Sequence, residues 1–201
     1  MKLHPVSPAA ARKRLEEGNA RFASNLRSVE SIASQSRRGE LAAGQSPFAI
    51  VLSCSDSRVP SELVFDCGLG ELFVVRVAGN IVAPSLVGSV EFAAATFGTQ
   101  LVVVMGHSGC GAVAATLEAL DRRSEAPSPG IRDIVERITP AVAAIEPGAD
   151  RVRRAIRANV RASVSQLRHG SRILEARCAE ETLQIAGAEY DLETGRVTWL
   201  D

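Results

Sequence analysis

Two short segments hold the residue types that can do chemistry. Cys54-Ser55-Asp56-Ser57-Arg58 and, about fifty residues later, His107-Ser108-Gly109-Cys110 supply two thiols, one imidazole and one carboxylate. These are the donors zinc prefers, and two sulfurs with one imidazole form a three-donor set that leaves a fourth tetrahedral position for chemistry. His107 and Cys110 stand at i and i+3, a spacing that one turn can present to a single ion. Gly106, Gly109 and Gly111 flank them and permit close backbone approach. Asp56 has two uses open to it. As a fourth ligand it closes the site; paired with Arg58 it leaves room for a water, and a water on zinc has its pKa lowered to about 7. Buried thiols beside a hydrogen-bonded core histidine would explain any one of these residues, but poorly explain all three in glycine-flanked segments after apolar runs. A redox pair would call for Cys-x-x-Cys, which the sequence lacks.

The elements that must position these residues are legible in the hydrophobic pattern. Phe48-Ala49-Ile50-Val51-Leu52, Leu72-Phe73-Val74-Val75-Arg76-Val77 and Leu101-Val102-Val103-Val104-Met105 are continuous apolar runs, as expected of strands buried on both faces. Leu183 to Ala188 begins a fourth strand. Arg196 to Leu200 makes a short fifth, joined to it by a hairpin loop over Asp191 to Gly195. Helical spacing predicts helices over 8–24, with Ser7 as N-cap and Pro8 in the first turn, and over 85–97, about 110–121, about 131–145, 151–168 and 171–180. Residues 27–43 are Ser/Arg-rich and suit a second helix with a poor apolar face, and Ser124 to Gly130 reads as a surface loop. The fold class is therefore α/β: a mostly parallel central sheet of about four strands plus a C-terminal edge strand, flanked by helices, with an N-terminal helical arm at 1–43. Cys54 falls just after the strand ending near Ser53, and His107 just after the strand ending near Met105. Ligands of open parallel sheets bind at the carboxyl ends of strands, so both segments are expected to converge there.

Composition narrows the partners. The 201 residues suit one domain, 1–201, and 46% of them are hydrophobic. Lys+Arg and Asp+Glu both number 23, so no global field draws nucleic acid or an anionic membrane. Arg151, Arg153, Arg154, Arg157 and Arg161 lie on helical spacing without interleaved aromatics, which suits a solvated or subunit-facing helix side rather than a nucleic-acid site. No run approaches the roughly 20 apolar residues of a membrane span. The opening Met1-Lys2-Leu3-His4-Pro5 leads into Ala, Arg, Lys and Glu rather than the apolar core of a signal peptide, and the expected location is the cytoplasm. There thiols stay reduced, and four cysteines suit metal binding or catalysis better than a disulfide framework.

At these residues the sequence resembles the β-class carbonic anhydrases. Cys54-Ser55-Asp56-Ser57-Arg58-Val59 matches the family's Cys-x-Asp-x-Arg segment, and Gly106-His107-Ser108-Gly109-Cys110-Gly111 its His-x-x-Cys segment. Gly70-Glu71-Leu72-Phe73-Val74-Val75-Arg76 and Ala78-Gly79-Asn80 are similar to the stretch between, and the likeness runs from about residue 10 to the end. The resemblance implies a carbonate dehydratase, a zinc lyase that interconverts CO2 with bicarbonate and a proton by zinc-bound hydroxide. It implies Zn2+ held by Cys54, His107 and Cys110. It implies Asp56 held off the metal by Arg58 and accepting a hydrogen bond from the hydroxide, with Asp56 a ligand only in a closed state. Gln45 matches a substrate-contacting glutamine of open-site members, and Phe73 an apolar pocket wall. The family assembles as a homodimer or dimer of dimers, with the N-terminal helices embracing the partner and the active site near the interface. Bicarbonate-inhibited members bind the ion with a tryptophan, an arginine and a tyrosine; here Arg76 and Tyr190 match, but Val51 stands at the tryptophan position. An open site is therefore expected.

The sequence departs from the family pattern at Phe92, where many members have tyrosine, and at Val77, in place of a frequent asparagine. Cys67 and Cys178 match no metal position and read as structural thiols. No histidine is placed as a proton shuttle, since His4 lies in the tail and His169 near a helix end. A zinc hydrolase acting on another small electrophile such as carbon disulfide, or a zinc- or bicarbonate-sensing protein, would share the ligand set. Intact Asp56, Arg58 and Gln45 speak against the sensor.

Overall fold

The structure, a computed structural model, describes residues 6–26, 35–122 and 126–200, with backbone alone at 35–37. The apolar runs form β1 (Ala49–Ser53), β2 (Leu72–Arg76), β3 (Leu101–His107) and β4 (Gln184–Tyr190), with a short β5 (Val197–Trp199). They make one sheet in the order β2-β1-β3-β4-β5, in which β5 alone runs antiparallel. Every residue of β1 and β3 is buried, because both strands are interior and helices cover both faces. β2 is an edge and is only partly covered.

The helices are α1 (Pro8–Ala23), α2 (Gln35–Leu41), α3 (Ser61–Val64), α4 (Pro84–Phe97), α5 (Gly111–Arg122), α6 (Pro129–Val142), α7 (Arg151–His169) and α8 (Arg172–Ala179). Their starts follow local chemistry. Ser7 accepts from the Ala10 amide with Pro8 in the first turn, and Ser128 and Ser171 cap α6 and α8 in the same way. Ser128 and Pro129 thus belong to a helix start within the stretch expected to be loop. Of the helix expected over 27–43, α2 is the part described, and 27–34 lie outside the described residues. Neither α3 nor the 3-10 turn at Ala78–Asn80 was signalled by periodicity, since each is shorter than two helical turns.

One face of the sheet, through Ala49, Val51, Val103 and Met105, packs on Ala11 and Leu15 of α1 and on Phe65. The other, through Ile50, Leu52, Val102 and Val104, packs on α4, α7 and α8. A third cluster, beyond the carboxyl ends of the strands, joins Cys54 and Cys110 to Ile81, Val113, Ile138 and Ile156.

The N-terminal helix is seated on its own sheet. Leu15 is fully buried, and the buried Asn19 donates to the carbonyls of Val64 and Gly195 while accepting from the Val197 amide. Three arginines of α7 likewise find partners within the chain. Arg151 pairs with Asp121 at 2.6 Å, Arg154 donates to the Glu146 carbonyl, and Arg157 pairs at 2.7 Å with Glu189, a buried carboxylate on β4.

Candidate metal centre

β1 leads outward to β2 on one side, and β3 then lies on the other side of β1. The strand order therefore reverses between β1 and β3, which is the place where open parallel sheets bind ligands. Cys54 follows the last residue of β1. β3 runs two residues past Met105, because Gly106 and His107 continue the ladder opposite Glu189 and Tyr190 of β4. His107 is thus the last residue of the strand rather than the first residue after it. The strand is so closely covered that a Cβ on Gly106 would lie 2.6 Å from Val160 Cγ2 of α7. Gly109, at φ +65°, turns the chain back so that Cys110 stands just before α5.

These placements bring the Cys54 and Cys110 sulfurs and a ring nitrogen of His107 within 4.8 Å of one another, all three residues buried. His107 is fully enclosed. Its Nδ1 lies 3.0 Å from the Ser108 carbonyl, which fixes the proton on that nitrogen and leaves Nε2 with a lone pair. Nε2 is buried and has no hydrogen-bond partner. A buried imidazole lone pair facing two thiols is unfavourable unless something fills it, and the donor set is the one zinc takes. The residues present fit a zinc ion.

The electrostatics prepare the sulfurs for a cation. The Cys54 thiol is pulled below its ordinary range, chiefly by a hydrogen bond from the Cys110 thiol, against the opposing effect of burial; the amides of Gly79 and Asp56 add to the lowering. The same bond and its own burial push Cys110 up. The two thiols thus oppose each other's ionisation, and a dication would favour the thiolate of both. Gly79 N–H donates to Cys54 Sγ at 3.3 Å.

Asp56 lies beside this triangle, its Oδ2 3.9 Å from His107 Nε2. Arg58 holds it with three donors: its backbone amide and Nε on Oδ1 at 3.0 and 2.9 Å, and Nη2 on Oδ2 at 2.8 Å. The guanidinium bonds hold the carboxylate well below its usual range. Of the two uses open to Asp56, the described geometry is the arginine pair. Arg76 braces the same loop from β2, donating to the carbonyls of Cys54 and Asp56. Tyr190 is buried and stacks obliquely on Phe22, and Val51 lies fully buried in β1.

Gln45 and Phe73 are placed differently. Gln45 is exposed in the segment between α2 and β1. Phe73 points from the edge strand β2 to Phe92 and Phe97 of α4, with ring centroids 6.4 and 6.1 Å away. Phe92 is 54% exposed. His169 is exposed and lies 3.7 Å from Glu175, while His4 is outside the described residues. Cys67 is buried and pushed up to about 12 by desolvation, as suits an inert thiol.

Fold and site together define a class: an α/β protein with a buried Cys-His-Cys metal cradle at the switch point of a parallel sheet, and a restrained carboxylate beside it. Residues 49–197 match the family model described as carbonic anhydrase. The sequence is 43% identical over 194 residues to a carbonic anhydrase of Mycolicibacterium smegmatis, covering 95% of this chain and 92% of that protein. It is 40% identical over 197 residues to carbonic anhydrase 2 of Mycobacterium tuberculosis, covering 98% and 94%. Among solved structures, a tetrameric β-carbonic anhydrase of Sordaria macrospora superposes with a TM-score of 0.71 at 26% identity, covering 81% of this chain and 85% of that one. The chain belongs to the β-class carbonic anhydrase family, and its enzyme class is carbonate dehydratase.

Proposed function

We propose that the chain interconverts CO2 and bicarbonate with a zinc ion held by Cys54, His107 and Cys110, in an open form with Asp56 on Arg58. The observation that carries this reading is the enclosed, unpartnered His107 Nε2, facing two thiols and 3.9 Å from Asp56 Oδ2. Zinc in that position supplies a Lewis acid that brings the pKa of a water to about 7.

The chain's own residues do the rest. Ser108 fixes the His107 tautomer through its carbonyl. Arg58 occupies both Asp56 oxygens and so keeps the carboxylate from becoming a ligand. A carboxylate oxygen has a further lone pair, with which Asp56 accepts one hydrogen bond from the nucleophile and orients it toward the CO2 carbon. Ile81, Val113, Ile138 and Ile156 shield the sulfurs, which strengthens every charge interaction there.

Gln45 and Phe73 are read as substrate-binding residues that act across an interface between copies, in a homodimer or dimer of dimers. Support comes from Gln45's exposure, from the aromatic group of Phe73, Phe92 and Phe97 beside edge strand β2, and from the tetrameric state of the Sordaria macrospora relative. Residues 1–201 act as one domain in this reading, since α1 packs on the sheet that carries the site. Among the described residues no helix is long and apolar enough to cross a membrane, and the four cysteines are free, in keeping with a cytoplasmic location.

Stopped-flow measurement of proton release on mixing with CO2 tests the reading. Rapid release is expected from the zinc-loaded protein, loss of it after chelation, and recovery on adding zinc. Undiminished activity in metal-free protein contradicts it.

A further inference from the structure

α7 buries a face made of Ala155, Ile156, Val160 and Leu167, yet Asn159 and Ser163, four residues apart on that face, are each 2% exposed. An amide and a hydroxyl are unfavourable there unless each finds a partner. Both find carbonyls of the turn at Ala78–Asn80: Asn159 Nδ2 donates to Gly79 O at 2.8 Å, and Ser163 Oγ to Asn80 O at 3.0 Å. That turn has two successive positive φ angles, +70° at Gly79 and +44° at Asn80. Its carbonyls therefore point away from any helix or strand ladder, toward α7.

We propose that Asn159 and Ser163 are positioning residues of the metal centre, holding the Ala78–Asn80 turn so that the Gly79 N–H stays on the Cys54 sulfur. Asn159 fixes the peptide plane after Gly79, and Ser163 the plane after Asn80. The N–H that reaches Cys54 Sγ belongs to the plane before Gly79. Glycine rotates freely between such planes, so with the two following planes anchored the plane before Gly79 can turn only about the Gly79 dihedrals. Packing closes the other side, where Ile138 Cδ1 and Ala112 Cβ lie 2.8 and 3.1 Å from the place a Gly79 Cβ would take. An N–H bond to a thiolate withdraws electron density from it, and partners of this kind tune a metal as well as orient its ligand. α7 thus reaches the sulfur through a turn that lies about eighty residues before it in sequence.

The proposal rests on Cys54 being a metal ligand, and the experiment separates the two ideas. Zinc affinity is measured by chelator competition for the wild type, Asn159→Leu, Asn159→Gln and Ser163→Ala. The thiolate-to-metal charge-transfer band is recorded on the cobalt-substituted proteins, and thermal midpoints on the metal-free ones. Asn159→Leu is expected to bind zinc about 10–100-fold more weakly and to move the band to lower energy. Ser163→Ala shifts both readings less, in the same direction, and Asn159→Gln, which keeps an amide donor, recovers part of the loss. Wild-type affinity and band in Asn159→Leu, with only a lower thermal midpoint, overturn the proposal in favour of simple packing. Should Asn159→Leu fail to fold, Ser163→Ala decides by the same two readings. A wild type that takes up neither zinc nor cobalt overturns the metal reading itself.

Discussion

Three donors from Arg58 converge on the Asp56 carboxylate, whose side chain is 18% exposed, beside an enclosed imidazole. That pairing sets how Asp56 responds to pH. Its pKa in the folded protein is depressed, so its contribution to stability is present above the ordinary value of about 3.9 and is lost as pH falls below it. Between pH 5 and 9 Asp56 therefore keeps a constant charge, and its protonation is not the origin of a fall in activity in that window. Arg58→Gln removes the guanidinium and frees the carboxylate to reach the metal position. We predict kcat/KM for CO2 lowered about 10–100-fold, with the Asp56 pKa returned toward the ordinary carboxylate range. A pH series of kcat/KM on both proteins checks this, and an unchanged value in Arg58→Gln contradicts it. The cysteines, histidine and carboxylate were legible because their types and spacing are local. Glu189, Asn159 and Ser163 were not. Each looks like an ordinary polar residue until a partner distant in sequence is folded against it: Arg157 for the first, the carbonyls of Gly79 and Asn80 for the others.

At the scale of elements, the solid apolar runs at 48–52 and 101–105 read directly as buried parallel strands, and the Gly/Asp-bounded loop after Tyr190 as a hairpin. The end of β3 did not. Glycine and histidine after Met105 resemble a loop, and only pairing with Glu189 and Tyr190 keeps them in the ladder. The turn at Ala78–Asn80 was equally hidden, because three residues with two positive φ angles carry no periodicity. At Gly106 a strand and a helix come close, since a Cβ there would meet Val160 Cγ2 at 2.6 Å and Ile156 Cγ2 at 3.3 Å. Gly106→Ala must therefore lift α7 from β3, at a cost of about 1–3 kcal/mol. For a chain of this size that lowers the melting temperature by about 2–4 °C per kcal/mol, as thermal unfolding of the two proteins would show. A wild-type melting temperature in Gly106→Ala would mean that the contact yields without strain.

Across the whole molecule, alternation of strands and helices was enough to expect an α/β sheet with the site at its carboxyl edge, whereas the strand order β2-β1-β3-β4-β5 is a long-range property that no local pattern encodes. That order puts the reversal between β1 and β3, so that Cys54 and His107 leave neighbouring strands and meet. The N-terminal helix has few buried apolar positions, Ala11 and Leu15 among them. Asn19, bonded to both Val64 and the β5 end of the sheet, supplies what the apolar stripe lacks. The proposed reading gives the aromatic group beside β2 and the exposed Gln45 to a second copy.

In the proposed reading Cys54, His107 and Cys110 hold a catalytic zinc. Zinc content and CO2 hydration rate, measured together on the wild type and on Cys110→Ser, test it most directly. The wild type is predicted to carry one zinc per chain and to hydrate CO2 rapidly, and Cys110→Ser to lose both in parallel. A zinc-free Cys110→Ser protein that still hydrates CO2 at the wild-type rate would contradict a role for zinc.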